Sequence, residues 1–149
     1  MIHTRIFGDI EVDANKIITF DGGIIGFPEL KRFMLIHDRE NEKKHISWLQ
    51  SIDEPDFAMP VIDPLKLVED YNPIVEDELL SGLGKLSPEE MLVLVTMTIP
   101  KDITKMTVNL KAPIIINAAS LKAGQIIVDD EKYVVRYPIY DILKSKKEG

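Results

Sequence analysis

Residues 104–117 read TKMTVNLKAPIIIN, and they confine the chain to a β fold more tightly than any other stretch. Val108 and Leu110 alternate with Thr107, Asn109 and Lys111, the period-two pattern of a half-buried strand. Ala112-Pro113 breaks the run, because proline has no N–H for a sheet ladder. Ile114, Ile115 and Ile116 then form a β-branched run suited to a strand covered on both faces.

The same signature recurs in short pieces along the chain. Residues 5–12 read as a hairpin turning at Gly8-Asp9, a turn-prone pair. Strands are expected over 17–20, 33–37, 46–51, 57–62, 91–99, 106–111, 114–117, 125–128 and 133–137, with a short strand or extended edge over 64–68. The sequence DGGIIGFPEL at 21–30 reads as a loop with one helical turn near Glu29, and 39–44 as a polar turn. A short helix fits 76–80. Ser87-Pro88-Glu89-Glu90 has the form of a helix start, with Ser as N-cap and Pro in the first position. The tail DILKSKKEG is basic and at most weakly helical. About ten short strands, one or two short helices and no long amphipathic helix predict a mainly β fold. A small antiparallel barrel fits best, because closure removes exposed edges.

A length of 149 residues fits one domain with a real core. The absence of cysteine rules out disulfides and thiolate metal sites, and a reducing cytoplasm is the expected compartment. The strongest apolar run, MLVLV at 91–95, is far short of the ~20 residues that span a bilayer, and the N-terminus lacks the apolar core of a signal peptide. A net charge of −7 argues against direct nucleic-acid binding, which runs on Lys and Arg, and suits a basic partner or simple solubility.

Candidate chemistry is sparse. His3, His37 and His45 show no metal-ligand spacing. Gly22, Gly23 and Gly26 are followed by no Lys-Ser/Thr, so a tight turn is the commoner explanation than a phosphate loop. Asp53, Glu54, Asp56 and Asp63 sit beside Pro55 and Pro64 as turn acids. Ser51 and Ser120 lack a GxSxG context. Trp48, the single tryptophan, shares a strand face with Gln50 and suits either an interface anchor or the core. Met91, Met97 and Met106 suit an adaptable surface or core filling. Residues 69–90 hold seven acids and one base, either a solvated flap or an interaction surface.

Four collinear blocks carry a resemblance. ITFDGGIIGFPELKRFMLI at 18–36, WLQSIDEPDFAMPVIDP at 48–64, TIPKDITKMTVNLKAPIIIN at 98–117 and GQIIVDDEKYVVRYPI at 124–139 are similar to the flagellar assembly factor FliW family. The family's early loop often reads G-x-P-G-F; here Ile25 stands in the proline position, and Pro28 follows Gly26-Phe27. The resemblance implies a single FliW-like barrel domain over 1–143, with 144–149 as a basic tail. It implies a bacterial cytoplasmic regulator, not an enzyme, needing no cofactor or metal, monomeric when free. Its implied partners are flagellin and CsrA, a small dimeric RNA-binding repressor, with a chaperone-like hold on flagellin. CsrA held by such a protein no longer represses flagellin translation. Flagellin that accumulates takes the regulator away and restores repression.

Glu76, Asp77 and Glu78 are the acidic contact candidates, able to add negative potential beside an RNA-binding surface. Met97, Ile99, Met106 and Val108 are the apolar candidates, from the best-matched block, although each also suits the core. Two other classes remain. A β-barrel nucleic-acid module would need a basic groove and stacking aromatics. A hydrolase built on turn carboxylates would need Asp53, Asp56 and Asp63 to converge in a pocket.

Overall fold

The expected barrel forms, and its geometry follows from which strands pair on both edges. A computed structural model of the chain describes residues 1–37, 46–73, 81–83 and 88–148. In chain order the strands are β1 (Ile2–Thr4), β2 (Gly8–Ile10), β3 (Ile18–Phe20), β4 (Arg32–His37), β5 (Ile46–Ser51), β6 (Ala58–Ile62), β7 (Met91–Thr98), β8 (Thr107–Val108), β9 (Ile114–Asn117), β10 (Lys122–Gln125) and β11 (Tyr137–Pro138). Among the described residues the one α-helix is α1 (Tyr140–Glu148).

Seven strands close into a ring in the order β7-β6-β5-β4-β3-β10-β9, with β9 pairing back to β7. A closed ring with an odd number of strands cannot alternate direction all the way round, so one parallel pair is forced. It falls between β3 and β10, and every other neighbour in the ring is antiparallel. β8 and β11 extend the sheet beyond β7, and β1 with β2 forms a separate hairpin.

Period-two alternation sorts β7 between two cores. Leu92 and Leu94 point into the barrel with Ile18, Phe20, Phe33, Leu49, Val61, Ile114 and Ile116. Val95 and Met97 point outward into a second core made with Met106, Val108, Leu110, Tyr133, Ile139 and Leu143. Ile115 also faces outward and packs on Leu83 and Ile126. All four residues of β9 are buried, as its β-branched run requires.

Tyr71 ties the second core together. Its hydroxyl donates to the Leu110 carbonyl at 2.7 Å, and its ring meets Tyr133 edge-on at 4.7 Å. Burial pushes the phenol's pKa well above its ordinary value, and the neighbouring Tyr133 adds to this. Tyr71→Phe leaves a buried carbonyl unpaired and is expected to cost about 1–2 kcal/mol in urea unfolding.

The local differences from the sequence-based expectations have physical causes. The first hairpin turns at residues 5–7 rather than at Gly8-Asp9, because the Thr4 hydroxyl accepts the Phe7 N–H at 2.9 Å and donates to the Gly8 carbonyl at 2.8 Å. Residues 64–66 form a 3-10 turn, not a strand, with the Asp63 carboxylate accepting the Leu65 N–H. β8 holds only two of the six residues expected, since the Asn109 side chain accepts the Lys111 and Ala112 N–H groups and bends the chain. The 125–128 strand begins earlier, at Lys122, and its bonding continues from Ile126 to Pro113 and from Val128 to Lys111. Residues 133–136 leave the ladder because Tyr133 turns into the second core. The chain near Glu29 turns without forming a helix, and 88–90 is a 3-10 turn. The turn at 39–44 and the helix at 76–80 lie outside the described residues.

Candidate functional site

Strand direction gives the barrel two ends, which differ in how many apolar side chains they expose. One end gathers the 21–31, 52–57 and 99–113 connections and the chain after β10. It carries exposed apolar side chains on Ile25, Phe27, Ile99, Ile103 and Ile127, interspersed with the exposed acids Asp21, Glu29, Asp53, Glu54, Asp56 and Asp102. The other end gathers the connections that hold the exposed acids Glu69, Asp70, Glu89 and Glu90, with Lys16 and Lys66 among them.

Two clefts open at the apolar end, one on either side of a side-chain bridge. Gln125 accepts the Ile25 N–H at 2.9 Å and donates to the Ala112 carbonyl at 3.1 Å. On one side lies a cleft of about 690 Å³ between the 21–28 loop and the 123–127 strand, with Leu83 and Ile126 in its wall. On the other side a cleft of about 370 Å³ is lined by Phe27, Phe57, Met59, Thr96 and Asn109. This second cleft exists because of Pro60. The Ser51 N–H bonds to the Phe57 carbonyl, so by alternation residue 60 faces β7. Proline offers no N–H there, and the β6–β7 pairing stops at Thr96, while β7 continues against β8 on its other edge.

The 21–28 loop is held in a narrow shape. Ile24 and Phe27 bridge each other across Gly26, which has φ +90, and Gly23 has φ +69. Phe27 packs on Phe57 at 4.8 Å, and Phe57 on Phe33 at 6.4 Å, so the loop rests on the barrel core. Leu83 is fixed by two donors to its carbonyl, the Asn117 side-chain amide at 2.8 Å and the Ser120 hydroxyl at 3.0 Å.

The candidate residues separate. Ile99 is exposed at the apolar end. Met97, Met106 and Val108 are core residues instead, because residues 128–143 cover the outer face of β7 and β8. Glu76, Asp77 and Glu78 lie outside the described residues. Sequence reasoning overlooked Ile25, Phe27, Ile103, Gln125 and Ile127. For Ile25 and Phe27 the available signal is the density of apolar residues inside a glycine-rich loop, where polar residues are usual.

The carboxylates do not converge. Asp56 and Asp63 lie beyond opposite ends of β6, whose five residues alone span about 17 Å. Asp53 is engaged by the Arg32 side chain at 2.8 Å and by the Lys31 and Arg32 N–H groups. Partial burial pushes its carboxyl up, but the hydrogen bonds from Arg32 and Lys31 and the Arg32 charge together hold it below its ordinary value. This contribution to stability is therefore present above the unfolded carboxylate pKa of about 3.9 and is lost as pH falls through the lower folded value. Asp53→Asn is expected to cost about 1 kcal/mol at neutral pH, an exposed-pair value, and to flatten the acid limb of a stability–pH curve. Ser51 accepts the Glu54 N–H, so both serines weighed as nucleophiles have structural roles. His3 pairs with Asp9 at the surface, and His37 meets the Ser47 hydroxyl at 3.0 Å. Among the described residues no three metal-ligating side chains cluster, and no helix is long and apolar enough to cross a membrane.

Comparison with known proteins agrees with the fold. The model of the family described as FliW protein matches residues 1–139. The chain is 48% identical over 151 residues to the flagellar assembly factor FliW of Lachnoclostridium phytofermentans, covering 99% of this chain and 97% of that protein. It is 51% identical over 148 residues to the protein of the same name from Lachnospira eligens, covering 98% of each. A crystal structure of the flagellar assembly factor FliW superposes with a TM-score of 0.85 at 29% identity, over 93% of this chain and 96% of that one.

Proposed function

The chain belongs to the FliW family, and from that membership we propose that it is a non-catalytic flagellar assembly factor that exchanges two protein partners in the cytoplasm, flagellin and CsrA. The observation that carries this reading is the apolar end of the barrel, where Ile25, Phe27 and Ile127 line two clefts and Ile99 and Ile103 stand exposed in the connection after β7. An isolated exposed apolar residue needs no explanation, but five in the loops of one barrel end mark a surface that gains by being covered. Unassembled flagellin carries amphipathic segments that need such cover.

CsrA is assigned to the opposite end, where β6 leads into and β7 leads out of the acid-rich 69–90 stretch. Glu69, Asp70, Glu89 and Glu90 supply charge there, with Glu76, Asp77 and Glu78 as further contacts. A neighbouring apolar cleft of about 330 Å³, edged by exposed Leu65 and Met91, offers a site for a buried anchor. A protein of net charge −7 beside an RNA-binding surface repels phosphate and speeds encounter with a basic partner. Replacing Glu76, Asp77 and Glu78 together by Gln, Asn and Gln is expected to slow CsrA association about tenfold at low salt and hardly at all in high salt. Stopped-flow mixing across a salt series reads both.

Separate calorimetric titrations with flagellin monomer and with the host's CsrA test the function itself. Saturable binding of each is expected. Heat from neither partner would overturn the reading.

A further inference from the structure

We infer that the larger cleft at the apolar end is a strand-addition site, which takes an extended, mainly apolar peptide segment bearing a Lys or Arg and pairs it with the open edge of β10. The inference rests on the protein-binding role proposed above and specifies its mode.

Hydrogen-bond alternation along β10 identifies the open edge. The N–H groups of Ile126 and Val128 bond to Pro113 and Lys111, on the β9 side. Even-numbered residues of this strand therefore face β9, and odd-numbered ones face β3. On the β3 side the Leu121 carbonyl accepts the Thr19 N–H, and the register pairs Ala123 with Phe20. There β3 ends, and the chain turns away into the 21–28 loop. The main-chain groups of Gln125 and Ile127 thus point into the cleft, and among the described residues no strand lies beside them and no main-chain partner for them occurs. Unpaired edge groups are a template for another strand.

The walls fit an apolar occupant. Ile127 is 62% exposed and Ile25 50% exposed on either side, above the buried Ile24, Leu83 and Ile126. Gly22 and Gly124 line the cleft without side chains, so a second backbone can come close. Among the described residues Asp21 is the only charged one in the lining, which favours a cation on the incoming segment.

Panning a random-peptide display library on the folded protein, followed by amide hydrogen exchange on the selected complexes, tests this. The expected binders are extended and apolar with a basic residue, and they slow exchange at Gln125 and Ile127 by roughly tenfold or more. Ile127→Lys, a change at an exposed side chain, is expected to weaken them at least about tenfold by removing apolar contact and repelling the cation. Binders that protect other segments, or no binders at all, would overturn the inference. Protection of the same two amides by self-association at rising concentration would also overturn it, since the occupant would be a second copy. The flagellin titration is read separately. Flagellin that binds without protecting Gln125 and Ile127 leaves the function standing and removes this mode.

Discussion

Phe33→Ala is expected to lower the stability of the fold by about 4 kcal/mol, the largest effect of any single truncation considered for this chain. Phe33 is fully buried inside the barrel. Its ring meets Phe20 edge-on at 5.3 Å and Phe57 at 6.4 Å, and Phe57 in turn supports Phe27 in the exposed loop. Deleting the ring removes its transfer energy and leaves a cavity that paired strands on both sides cannot collapse to fill. Edge-to-face contacts add about 0.5–1.5 kcal/mol each beyond burial. A domain of ordinary stability has about 5–15 kcal/mol in hand, so the variant sits near the limit of folding. Trp48 reports the transition, because it is the only tryptophan and packs edge-on against Phe7 at 5.9 Å. At roughly 2 kcal/mol per molar urea the midpoint should fall by about 2 M. A fall of less than about 0.5 M would mean that the aromatic cluster is not the centre of the barrel core.

Gly23→Ala is expected to cost at least about 3 kcal/mol, from a single added methyl group. Gly23 has φ +69, and a Cβ built there runs into the Pro28 carbonyl, which is backbone and cannot rotate aside. Two other glycines in the same loop separate the causes. Gly26 has φ +90 but open space around its Cβ position, so Gly26→Ala should cost only the left-handed penalty of about 1–2 kcal/mol. Gly22 has neither constraint, and Gly22→Ala should be close to neutral. With about 3 °C of melting temperature per kcal/mol, the expected losses are about 10 °C at Gly23, 3–6 °C at Gly26 and nearly none at Gly22. Equal losses at the three positions would remove the close approach of Gly23 to Pro28 from the account. The clash is expected to displace the Ile24–Phe27 bridge, and the Gly23 variant, if it still folds, should then lose the flagellin binding proposed above.

The barrel was legible wherever apolar runs had sharp ends. The expected strands at 46–51 and 114–117 coincide with β5 and β9, because β-branched or aromatic residues stop abruptly at turn chemistry on each side. β10 was displaced because Lys122, Ala123 and Gly124 carry no strand pattern; its start is set by pairing with β3 and β9, which no local reading supplies. The parallel pair was likewise invisible, since it follows from ring closure rather than from any run of residues. Of the apolar candidates Ile99 is exposed at the apolar end, and Ile25, Phe27 and Ile127, exposed at the same end, are not among the candidates the sequence offers. Periodicity reads elements, and these three lie in loops or beyond a strand end. Met97 and Val108 showed the correct alternation, but which side of a strand stays open is decided by residues 128–143 folding back over it.

Partner exchange is open to a single calorimetric comparison. CsrA affinity is measured by calorimetry with the protein alone and again with the protein saturated by flagellin monomer. Exchange predicts that bound flagellin weakens CsrA binding at least tenfold, about 1.4 kcal/mol of coupling, and by linkage that CsrA weakens flagellin by the same factor. Equal CsrA affinity in the two titrations would contradict it, and would make the two ends of the barrel independent binding surfaces.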